Sequence, residues 1–257
     1  FSVEFNGRPD ALEARGSISG FDLAQLPIPG LPPIHGNAAG TVTLHQTSDS
    51  RGASVDLAVT GLIIDYPSLS APVAPRKVQV VADVREDPTS LRIHLRPLQL
   101  DDLKLRGTIR AGRGEDQDNR VLANLSLDPF RLGLSDGRLQ LLRLVGLRYP
   151  VWARADERSE AGRIEGFEFR LDVPRDLLTN TLAFGRKTRP HELQIDATIE
   201  EGVYRPRPES PPLEKIHSLV RVRGNRLEVY DLNMTREGRP LPEIDLTVDG
   251  LHRLARL

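Results

Sequence analysis

Apolar and polar residues alternate one by one through most of this chain. Val55, Leu57 and Val59 share one side of an extended segment, with Asp56 and Thr60 opposite. Val78, Val80, Ala82 and Val84 alternate with Gln79, Val81 and Asp83, and Leu91, Ile93 and Leu95 with Arg92 and His94. The pattern continues at Leu103, Leu105 and Ile109, at Val121 to Leu127, at Phe167 to Val173, and at Ile244 to Val248. A period of two is that of a strand, whose successive side chains point to opposite faces. One apolar and one charged face predict an antiparallel sheet wetted on one side. Glu86-Asp87-Pro88, Gly112-Arg113-Gly114, Asp136-Gly137 and Gly224-Asn225 supply turn chemistry between strands. The Pro-rich stretches 26–33, 71–75 and 205–212 cannot donate to a ladder along their length and belong at margins or crossings. One helix is expected at roughly 174–184. Pro174 suits its first turn, Leu177, Leu178, Thr181 and Leu182 form a stripe, and Gly185 suits its end. A single helical turn is also expected near Asp22 to Leu26.

The alternation is organised as a repeated sentence. One copy runs from Val55 through Gly61-Leu62 and Tyr66, crosses a Pro-rich stretch, and returns as the hairpin of 78–84 and 91–95. The other runs from Leu193 through Gly202-Val203-Tyr204, crosses 205–212, and returns as the hairpin of 219–222 and 227–229. A chain written this way extends a sheet by addition rather than enclosing a catalytic centre. It predicts a mainly β fold: a long curled antiparallel sheet of strand and hairpin units with an apolar inner face. About ten to twelve strands are expected, stacked at ~4.8 Å. Residues 1–130 read as one repeat segment and 131–257 as a second, joined in one sheet and cut from a longer protein.

Composition narrows the function classes. The 35 basic and 36 acidic residues nearly balance, so there is no net basic field of the kind a nucleic-acid binder carries. Aromatics are only 5%, too few for a base-stacking platform. The absence of cysteine removes disulfides, thiolate metal sites and a cysteine nucleophile. No stretch reaches the roughly 18 apolar residues of a membrane helix; the segment Leu139 to Leu147 is short and carries Arg143.

The chemical motifs are weak. Gly133-Leu134-Ser135-Asp136-Gly137 has the spacing of a nucleophile elbow, but that elbow needs a strand on one side and a helix on the other. Both flanks here alternate as strands, so a hairpin turn is expected. Asp116-Gln117-Asp118-Asn119 opens like a calcium loop, yet Val121 and Leu127 occupy the positions of its glycine and its closing glutamate. None of the six histidines has the helical i, i+4 spacing of a zinc pair. Asp101-Asp102 and Glu200-Glu201 are neighbours on strands and point apart. No catalytic residue, metal or cofactor is expected.

The segment Leu193 to Leu251 resembles the AsmA-like family, which includes TamB-related proteins of the Gram-negative envelope. The resemblance rests on the strand Leu193 to Ile199, the step Gly202-Val203-Tyr204 and the run Pro211-Pro212-Leu213. It continues in Gly224-Asn225-Arg226-Leu227-Glu228-Val229 and Leu241-Pro242-Glu243-Ile244-Asp245-Leu246. Gly162 to Phe167, and more loosely Ala14 to Leu44, are similar too. The resemblance implies a bridge-like lipid-transfer protein: a hydrophobic β-groove that carries phospholipid acyl chains between inner and outer membrane. It also implies a periplasmic location, a parent chain anchored in the inner membrane, and no catalytic residues. The residues expected to line the groove are Val55, Leu57, Val59, Val80, Ile93, Leu105, Leu125, Phe169, Ile195, Leu227 and Leu246. The rival reading is a closed structural or adhesion β-domain, in which the same residues are an ordinary core.

Overall fold

The computed structural model describes residues 2–8, 11–25, 34–64, 74–101, 103–112, 119–133, 158–175, 177 and 188–250. The chain divides into two compact units, Phe1–Ala123 and Asn124–Leu257. The first contains β1 (Ser2–Arg8), β2 (Ala11–Asp22), β3 (Ile34–Thr47), β4 (Arg51–Ile64), β5 (Val78–Glu86), β6 (Ser90–Leu100) and β7 (Leu103–Gly112). A 3-10 turn, Leu23–Gln25, follows β2 where a helical turn was expected. Each strand pairs antiparallel with the next in sequence. Strand β8 (Arg120–Leu127) carries the boundary between the units.

The second unit contains β9 (Phe130–Gly133), β10 (Ser159–Pro174), β11 (Leu193–Tyr204), β12 (Leu213–Arg223), β13 (Arg226–Arg236), β14 (Arg239–Pro240) and β15 (Ile244–Asp249). Strands β10 to β13 again pair antiparallel in chain order. The short β9 pairs with β10, and β14 and β15 both pair with β13. The mainly β, antiparallel, sequentially extended fold is therefore as the alternation predicts. The described residues form fifteen strands, more than the expected ten to twelve. Short pieces such as β9 and β14 are too brief to show a period in sequence.

The Gly-apolar step of the repeated sentence is a β-bulge. In β4, Gly61 has φ 63°, and the ladder with β3 slips so that Gly61 and Leu62 oppose Gly36 alone. The same device recurs at Gly20 in β2 and at Gly166 in β10, with φ 70° and 60°. In the second sentence the left-handed residue is Glu201 (φ 52°), one position before the glycine. Gly202 answers a different need: a Cβ there would lie 2.9 Å from the Ile216 Cβ. Lys215 and Asp231 repeat the conformation in β12 and β13. A bulge bends its strand and strengthens its twist, so a bulge in each of β10 to β13 bends neighbouring strands together. The pair Glu200-Glu201 thus departs from simple alternation: Glu201 sits in a bulge, while Glu200 lies 2.9 Å from His217.

The turn between β5 and β6 is built by one carboxylate. Asp87 Oδ1 accepts from the Thr89 amide, the Thr89 hydroxyl and the Ser90 amide at 2.9, 2.7 and 2.7 Å. The Ser90 hydroxyl donates to Oδ2 at 3.0 Å. The hydrogen bonds from Thr89, side chain first, hold the Asp87 carboxyl well below the ordinary carboxylate range. A depressed pKa means stability that is present above the unfolded value, ~3.9, and is lost as pH falls through the folded one. Asp87→Ala is expected to melt below the parent at pH 7, with the gap narrowing steadily below about pH 4. Thermal melts of both proteins across acid pH check this; a constant gap would leave the carboxylate out of the turn's stability.

Several expectations fall outside the described residues. Ser135 and the Asp-Gly pair at 136–137 do so, as do Asp116 to Asp118 and most of the helix near 174–184. Of that span, Pro174 closes β10, and Arg175 and Leu177 are helical.

Candidate functional site

Register gathers the alternating apolar residues of the first unit into rows that cross the strands. One row runs Val42, Val55, Ala82, Leu95 from β3 to β6. Beside it, Leu57, Val80, Leu98 and Leu105 run from β4 to β7. Val59, Val78, Leu100 and Leu103 form the next, and Ala53, Val84, Ile93 and Ile109 flank the first on its other side. Val55, Leu57, Val59, Val80, Ile93 and Leu105, all expected in the groove, are therefore brought to one continuous face.

Burial along that face is graded. At the bulged end, Ala38, Val59, Leu62 and Val78 form a closed cluster packed against Phe21, Leu23, Ile34, Val80 and Leu100. Away from it, Val55, Leu57, Ile93, Leu95 and Ile109 are only half-buried, and Leu44 is 52% exposed. The inner face of a packed sandwich excludes water along its whole length. Here the closed cluster occupies one end of the face, and beyond it the small side chains of Ala14 and Ala82 are the buried apolar ones among the described residues of these rows. Gly40, in the middle of β3, has no side chain to fill the row between Ile18 and Leu57.

The second unit has its own apolar rows. Phe169, Ile195, Val222, Leu227 and Val248 run from β10 through β13 to β15, beside Ala197, Val220, Val229 and Leu246. Phe169, Ile195, Leu227 and Leu246 thus share one face. Val222 is buried at 5%, Phe169, Ile195 and Leu227 are half-buried, and Leu246 on β15 is 46% exposed. Leu125 lies on the more covered side of β8 with Ala123, while Leu122 lies on the exposed side.

The other face of each unit is charged. In the second, Arg223 reaches Asp196 at 2.6 Å and Arg226 reaches Glu228 at 3.0 Å, and the Arg221 guanidinium lies 5.4 Å from the Tyr230 ring centre. Pairs this open to water contribute on the order of 1 kcal/mol each. They fix register and wetting more than stability. In the first unit, a cavity of about 610 Å³ opens on the charged face, with His45, Asp83, Arg85, Arg92, His94 and Arg110 among its lining. Of the expected groove residues only Ile93 borders it, and strand alternation points the Ile93 side chain the other way. The sequence reading did not single this cavity out. The hairpin turn at Asp87 folds Arg85 onto Arg92, and the turn at Asp101 folds Arg92 onto Arg110. Pairing the strands about those turns would have found the row.

Among the described residues no group of His, Asp or Glu has the arrangement of a metal site, and no helix is long and apolar enough to cross a membrane. Asp101 spends Oδ1 on the amides of Arg76 and Lys77, both at 2.9 Å, which makes it a strand-end anchor. The chain matches no protein-family model, no curated protein and no solved structure.

Proposed function

We propose that this chain is a lipid-binding segment of an AsmA-like envelope protein, holding phospholipid acyl chains along the apolar face of its repeated sheet. The carrying observation is the continuous, half-buried apolar face in each unit. Open apolar rows of this kind suit a long flexible hydrocarbon better than a compact polar substrate. Each methylene removed from water contributes about 0.8 kcal/mol, so an acyl chain is held without a dedicated headgroup site. A repeat supplies many similar weak positions, which permits movement along the face. The reading is non-catalytic: no residue is assigned chemistry. The phospholipid would pass between inner and outer membrane, with the segment in the periplasm and its parent protein anchored in the inner membrane.

The test is lipid analysis of the chain purified from a bacterial envelope, by native mass spectrometry and extraction. Phospholipid at near-stoichiometric amount is the expected result. A folded, monodisperse and lipid-free protein would replace this reading with the closed structural β-domain. The fully buried cluster around Val59 and Val78 is what that domain would extend.

A further inference from the structure

The charged face of the first unit carries an unbalanced row. Register sets Glu13, His45, Gly52, Arg85, Arg92 and Arg110 side by side on β2 to β7. Three guanidinium groups therefore stand on adjacent strands, spanning about 10 Å at the usual inter-strand spacing. Like charges directly opposite each other destabilise a sheet. Other arginines of the charged faces have a carboxylate beside them: Arg96 pairs with Asp83, Arg170 with Glu168 and Arg223 with Asp196. Within the row, Arg92 leans to the turn, 3.7 Å from Asp87. Arg85 and Arg110 have no hydrogen-bond or ion-pair partner among the described residues. Asp83, the carboxylate of the cavity, is occupied by Ser54 at 2.7 Å and Arg96 at 2.8 Å.

The cavity of about 610 Å³ lies over these same residues. Between His45 and Arg85 the row holds Gly52, where a side chain does not fit: a Cβ at that position would lie 2.6 Å from the Val84 carbonyl oxygen and 3.1 Å from the His45 ring. A concave, solvent-reached site with two uncommitted guanidinium forks matches a tetrahedral oxyanion, which accepts paired N–H donors from arginine. We infer that the Arg85–Arg92–Arg110 row binds a phosphate group. The site faces away from the apolar rows and stands independently of the lipid reading. The overall charge balance hides it, because the excess is local.

The group can come from free phosphate or from a lipid headgroup, and two arms separate them. In the first, inorganic phosphate is titrated into the 257-residue chain at constant ionic strength, read by calorimetry and by thermal melting. Binding is expected, with a rise in melting temperature. The double variant Arg85→Gln/Arg110→Gln should weaken it roughly tenfold or more, as expected for two lost charge-assisted hydrogen bonds. Because the variant also relieves like-charge repulsion, it should melt no lower than the parent. In the second arm, phosphatidylglycerol vesicles are sedimented with both proteins. Phosphate binding together with vesicle binding lost in the variant assigns the site to a headgroup; phosphate binding with no difference on vesicles assigns it to free phosphate. No response to phosphate in the parent chain, or an equal response in the folded variant, overturns the site.

Discussion

Gly40→Ala is expected to destabilise the first unit by about 3 kcal/mol or more, enough to unfold a marginal domain. Gly40 has φ 151°, a conformation that side-chain-bearing residues rarely adopt. A Cβ there would overlap the Asp56 carbonyl oxygen and lie 2.9 Å from the Leu57 Cα. Both are backbone atoms of β4, so no rotamer change relieves the contact. Relief requires β3 and β4 to separate where they pair, and that pairing holds Val55 and Leu57 in the apolar rows. Gly61→Ala is the contrasting case. Nothing lies within 4 Å of its Cβ, so only the left-handed φ opposes it, at roughly 1 kcal/mol. Denaturant melts of the two variants measure the difference. Similar small losses in both would mean that β3 and β4 are less closely fitted at Gly40 than the backbone distances require.

The same pair of glycines shows what could be read beforehand. Alternation identified β4 to β8, β10 and β15, and the repeat added β11 to β13, because period two is a local signal that survives without tertiary context; β1 to β3, rich in Gly, Ala, Ser and Thr, show it less. The repeated Gly-apolar step was visible too, but its meaning was not. A glycine in a strand pattern signals either a left-handed bulge or a close backbone approach, and this chain uses both. Gly61 is the first kind; Gly202 is the second, with the bulge moved to Glu201. Strand pairing also lay beyond single-strand patterns. Arg85, Arg92 and Arg110 look like ordinary wet-face residues one at a time, and only register sets them shoulder to shoulder. The expected groove residues of the first unit share a face because pairing keeps the strands in step: a one-residue slip would turn a strand over, and the bulge between Leu95 and Leu98 is what sets those two on the same side. Their graded exposure was not legible: it depends on where the bulges and the Phe21–Leu23 cluster close one end.

Leu57→Glu combined with Ile195→Glu is expected to abolish lipid co-purification while the chain stays folded. The two positions lie in separate units, each half-buried within an apolar row, Leu57 beside Val80 and Ile195 beside Val222. On an open face the new carboxylates reach water once lipid has left, so folding loses only part of each side chain's burial, on the order of 1 kcal/mol per site. For an acyl chain the change is far larger. A carboxylate in its path must be desolvated or the hydrocarbon must detach, and detachment sacrifices about 0.8 kcal/mol for every methylene exposed. Val59→Glu provides the internal comparison. Val59 is 8% exposed inside the closed cluster, where a carboxylate would be stranded among Ala38, Leu62 and Val78. It should unfold the first unit under either reading. The discriminating result is therefore the contrast: circular dichroism should report a folded Leu57→Glu/Ile195→Glu protein without lipid, and an unfolded first unit in Val59→Glu. If all three substitutions unfold the chain alike, the apolar rows form a core covered along their whole length, and the lipid-binding face is lost with the fold that was meant to display it.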